Sequence, residues 1–140
     1  MSVQKSAAFA AFLLLWSPAA PALAHHSFAI FDRGEGKEKS IGGVVKDVSI
    51  VNPHGWLKIL VPGADGRATA WSFEMASASN LQRMGWAKGV VSPGDKITVV
   101  YYPLRVGSNG GELISVVLAN GKALKGLMEG DRGFPTSATQ

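Results

Sequence analysis

Five apolar-rich segments with strand periodicity, interrupted once by a short helical segment between the third and the fourth, constrain this chain most tightly. Residues 42–51 form the first, where Val44, Val45, Val48 and Ile50 alternate loosely with Lys46 and Asp47. Gly42-Gly43 invites a bend or bulge near its start. Asn52-Pro53-His54-Gly55 ends it, because Pro53 has no N–H to give a ladder. Residues 56–61 and 69–75 are the second and third segments. In the third, Trp71, Phe73 and Met75 fall on one face and Ala70, Ser72 and Glu74 on the other. A helix follows, capped by Ser77 or Ser79, with Leu81 and Met84 on one side and Gly85 as its stop. Pro93-Gly94-Asp95 turns the chain into the fourth segment, residues 96–102. A flexible glycine loop, 107–111, leads to the fifth, 112–118, and Asn120-Gly121 is a favoured hairpin turn. Three strands, a helix and two strands is the order of a five-stranded OB barrel. The expectation is therefore an all-β fold with one short helix, either a small OB-like barrel or an open β-sandwich. In OB barrels, ligands lie on strands 2 and 3 and on the loops joining strands 1–2 and 4–5. Those loops are here residues 52–55 and 107–111.

The first 24 residues read as a signal peptide. Lys5 supplies a basic start, residues 7–16 are an unbroken apolar run, and Ala22-Leu23-Ala24 fits the small-x-small cleavage rule. The run is about half of the roughly 20 residues that cross a bilayer, so no stable membrane anchor is expected after cleavage. Residues 25–125 are then an OB-like domain and 126–140 a flexible tail, in a periplasmic or secreted protein. The chain has no cysteine. An exported domain without disulfides is held by its core, and thiolate metal sites, thiol redox chemistry and cysteine nucleophiles are all excluded. A formal net charge of +4, with no run of basic residues, does not point to a nucleic-acid partner.

The three histidines, His25, His26 and His54, gather at two places. Cleavage after Ala24 would make His25 the N-terminus, so that its amine and its ring could chelate one ion. With the His54 ring added, three nitrogen donors would lie in a T-shaped plane. Square-planar nitrogen geometry suits Cu(II), and the α-amine titrates near 8, low enough to yield its proton to a metal at modest cost. His25, His26 and His54 are thus the candidate metal ligands. Glu74 and Asp32 are candidate axial or supporting carboxylates, and Trp56 a candidate neighbour. His25 and His54 are expected to face each other across a pocket near the strand 1–2 loop, with His26 pointing elsewhere. The segment must double back to do this, and a strongly coiled first strand would close the gap. No Ser-His-Asp constellation and no P-loop ending is present, so metal carriage is favoured over catalysis.

The motifs His25-His26-Ser27-Phe28, Asn52-Pro53-His54 with Trp56, and Trp71-Ser72-Phe73-Glu74-Met75 recur together with Pro93-Gly94-Asp95 and Leu104-Arg105 before the 107–111 glycines. Together they resemble a domain-of-unknown-function family of small exported bacterial proteins, over residues 25–125. The site chemistry is similar to the copper histidine brace of lytic polysaccharide monooxygenases and of CopC-type periplasmic carriers. That resemblance implies a bound copper ion and a role in metal carriage or homeostasis. The chain is shorter than a monooxygenase domain, which argues against polysaccharide oxidation. The competing expectation is a metal-free binding or adaptor module. Its strand 2–3 face, with Trp56, Lys58 and the 107–111 loop, would hold a glycan, a peptide or another envelope protein.

Overall fold

A single strand, β1 (Lys39–Ser49), pairs with two different neighbours along its length in the computed structural model, which describes residues 30–127. Its first half, Lys39 to Val44, runs antiparallel to β4 (Lys96–Pro103), and its second half, Val44 to Ser49, antiparallel to β2 (Trp56–Pro62). Such a strand must coil. The ladder with β2 breaks register between Val45 and Asp47, a bulge of the kind that increases local twist. Sequence placed the bend at Gly42-Gly43, three residues too early. Gly43 has another reason to lack a side chain: a Cβ there would lie 2.8 Å from Ile59 Cδ1 and 2.9 Å from the Leu60 carbonyl oxygen. The bulge is held by the turn before β4, where Val45 N–H donates to the Asp95 carbonyl and Gly94 N–H to that of Val45, both at 2.8 Å.

From β2 the sheet continues antiparallel to β3 (Ala68–Glu74), and from β4 antiparallel to β5 (Gly110–Leu118). The two free edges then meet. β3 pairs with β5 in parallel through Ser72↔Gly110, Phe73↔Gly111 and Glu74↔Glu112. The result is a closed five-stranded barrel in the order β1-β2-β3-β5-β4, with OB topology, and the open sandwich is ruled out by this seam. Gly110 and Gly111 belong to the seam and not, as sequence suggested, to a flexible loop. A side chain at Gly110 would run into the Ser72 carbonyl, and one at Gly111 into that of Tyr102.

Strand alternation fills the barrel. Leu57, Ile59, Phe73, Val99, Leu113 and Val116 are wholly buried. Trp71, Phe73 and Tyr101 form an aromatic group with ring centroids 5.0–6.3 Å apart. The helix α1 (Ala78–Arg83) is too short to stand alone and is held by its burial of Leu81. Ser77 occupies the N-cap position without making a side-chain cap bond. The cap is supplied instead by Asn52, whose Oδ1 accepts from Ala78 N–H at 3.1 Å. A sixth strand, β6 (Ala123–Lys125), follows the Asn120-Gly121 turn and adds to β5. It is too short to show alternation in the sequence. Trp86 donates its indole N–H to the Lys125 carbonyl at 2.7 Å.

A second, smaller apolar cluster sits on the outside of the barrel, joining Phe31, Tyr102, Ile114 and Leu127. Residues 30–33 form an arm along the end of β4. Asp32 N–H donates to the Pro103 carbonyl at 2.8 Å and Arg105 N–H to that of Ile30 at 2.9 Å. The segment read above as a signal peptide, His25, His26 and residues 128–140 lie outside the described residues. Among the described residues no helix is long and apolar enough to cross a membrane.

Candidate functional site

The loop joining β1 to β2 is pressed against the end of β3 by one glycine. Gly55 N–H donates to the Ala76 carbonyl at 3.0 Å and its own carbonyl accepts from Met75 N–H at 2.8 Å. A Cβ on Gly55 would lie 2.7 Å from Leu81 Cδ1 and 3.0 Å from the Ser49 carbonyl, so only glycine lets the loop lie this flat. The preceding residue, His54, is thereby set beside Glu74 and Met75 on a cleft of ≈ 140 Å³ that also includes Ser77, Asn80, Glu112 and Leu127.

His54 Nδ1 lies 3.1 Å from Glu74 Oε1 and 3.3 Å from the Met75 carbonyl oxygen. An ionised carboxylate and a carbonyl both accept hydrogen bonds, so Nδ1 carries the proton. In the neutral ring the lone pair is then on Nε2, which has no hydrogen-bond partner among the described residues. This is how metal-binding histidines are commonly prepared: one ring nitrogen is tied to a carboxylate or carbonyl, and the other is left basic and aimed by the first. The His54 side chain is 40% exposed.

Glu74 is on the outward face of β3, as alternation predicts, yet it is buried. Its register partner across the seam is Glu112, which is buried as well. Two carboxylates side by side on adjacent strands would repel if both were bare. Each is answered by a group from a different segment. Arg33, on the arm, takes Glu112 in a bidentate pair, with Nε 2.6 Å from Oε2 and Nη2 on Oε1. His54 takes Glu74. The order across the seam is Arg33, Glu112, Glu74, His54.

The sequence-predicted residues therefore divide. His54 and Glu74 come together at the end of β3. Trp56 is the register neighbour of Glu74 on β2 and is 39% exposed on the outer face. Asp32 sits elsewhere, 3.9 Å from both Lys37 Nζ and Arg105 Nη1, on a separate cleft. His25 and His26, and with them the expected facing of His25 and His54, lie outside the described residues. Among the described residues no group of three or more His, Cys, Asp or Glu could hold a metal ion. Arg33 and Glu112 were missed. Their pairing depends on the β3–β5 register, which joins residues far apart in the chain and leaves no local pattern.

The fold and this site define a small closed β-barrel whose strand 1–2 loop presents a carboxylate-held histidine. Residues 13–113 match the family of unknown function DUF6152, and the chain belongs to that family. This bears out the membership that the separated motifs implied. No curated protein and no solved structure matches the chain.

Proposed function

We propose that this is an exported, periplasmic metal-binding protein that carries copper, with His54 Nε2 as one ligand and the mature N-terminal His25 as the source of the others. His26 is the alternative ligand, and the role is metal carriage or homeostasis. The observation that supports the reading most is the fixing of Nδ1–H by Glu74 and Met75, which leaves Nε2 as a prepared donor. The course of the arm adds to it. Arg33 reaches Glu112, which borders the same cleft as His54. From Ile30 back to His25 the chain can span about 17 Å at ~3.3–3.6 Å per residue, enough to turn back toward that cleft. Cu(II) added to protein beginning at His25 is expected to bind once, with a nitrogen-rich paramagnetic resonance spectrum. His54→Ala should remove one nitrogen from that spectrum, and one extra residue ahead of His25 should weaken binding by removing the terminal amine. Unchanged spectra and affinities in both variants would refute the site.

The exposure of Trp56, beside Lys58 on the outer face of β2, favours a second reading. In it the protein is a metal-free module that holds a glycan, a peptide or an envelope protein on the strand 2–3 face. Trp56→Ala would then abolish capture of the partner while the fold remains intact.

A further inference from the structure

The β3–β5 seam is only three residue pairs long, and it begins at Ser72. Trp71, just before Ser72 on β3, and Gly110, at the start of the seam, line a cleft of ≈ 440 Å³. This volume lies in the range of small-molecule sites. The cleft shares no lining residue with the one that holds His54.

Its chemistry is specific. The apolar side is Trp71 against the edge of Tyr101, 6.0 Å between centroids. Trp86 spends its indole N–H on the Lys125 carbonyl, whereas that of Trp71 has no acceptor among the described residues. A half-buried indole usually satisfies its N–H, so Trp71 presents a donor to whatever enters. Around it stand Lys37, Lys39 and Arg105, opposed by Asp32 and Glu38. The single Asp32 carboxylate is shared between Lys37 and Arg105 at 3.9 Å each, too long for tight pairs. Glu38 accepts from the Tyr102 hydroxyl at 3.4 Å. Lys39 has no ion pair among the described residues. The cleft thus combines an aromatic wall with the Lys39 cation and a spare N–H donor.

We propose that this cleft is a binding site for a small carboxylate carried on a ring. The ring packs on Trp71, and the carboxylate meets Lys39. Uronic acids and aromatic acids share this chemistry. The test follows the Trp71 indole N–H resonance of the mature protein, assigned with Trp71→Phe, during addition of galacturonate, benzoate, galactose or acetate. Galacturonate or benzoate, or both, should move it saturably with a Kd of about 1 mM or tighter. Which of them does so identifies a saccharide or an aromatic source. Galactose, which lacks the charge, and acetate, which lacks the ring, should bind at least about tenfold more weakly. Lys39→Gln, on the exposed rim, should weaken binding severalfold. His54→Ala should leave it unchanged. Absence of a saturable shift with either acid would overturn the proposal, as would galactose or acetate binding equally well.

Discussion

His54 illustrates how a single side chain acquires a chemical identity from its neighbours. An imidazole in a Pro-Gly loop has two nearly equivalent nitrogens, and the geometry at the end of β3 makes them unequal. Glu74→Gln keeps an acceptor near Nδ1 but removes the carboxylate charge beside it. The Met75 carbonyl remains to hold the tautomer. If His54 binds copper as proposed, the affinity of this variant should fall by about tenfold, the low end for losing such a partner, as read by competition with a chelator of known affinity. The Tyr101 phenol shows the same principle in reverse. Burial pushes its pKa above the ordinary 10.0, because the charged form is desolvated. The unfolded chain can ionise there and the folded one resists, so this group costs nothing below pH 10 and erodes stability as pH rises beyond it. Tyr101→Phe should flatten that alkaline decline in denaturant midpoints measured across pH.

At the scale of elements, the arm and the seam depend on one another. The Glu112 carboxylate is nearly dry, and its bidentate partner comes from a segment ahead of β1. Arg33→Met would leave that carboxylate without the guanidinium at a cost of about 3 kcal/mol. Replacing both, Arg33→Met with Glu112→Leu, should cost less than the two single changes summed, since no buried charge is then stranded. Urea midpoints of the four proteins measure this, and strict additivity would show that the pair does not couple. The elements themselves were legible where alternation is local: β2, β3 and β4 fall within a residue or two of expectation. The helix stop at Gly85 was also legible, since that residue takes a positive φ of 94°. The N-cap bond was not, because its acceptor, Asn52, is 26 residues away. A rule about neighbours cannot find it.

For the molecule as a whole, the strand order pointed to the barrel, but what closes it was misread. Glycines 110 and 111 look like slack in a sequence and are in fact places where two strands leave no room for a side chain. Half of the candidate site was readable for a similar reason. His54 and Glu74 carry their own signals in a loop and an alternating strand. Arg33 and Glu112 become meaningful only once β3 and β5 are side by side.

Phe31 and Leu127, near the two limits of the described chain, pack in one cluster on the outer wall of the barrel. The two limits of the described residues are therefore close together. A circularly permuted protein, with residues 30 and 127 joined by a short Gly-Ser linker and new ends opened in the exposed turn at Gly63 to Asp65, should fold to the same barrel. Its near-ultraviolet circular dichroism should match the parent, and its unfolding should remain a single transition. Loss of that cooperativity would mean that the order in which the strands emerge matters to folding, and not only where they end up.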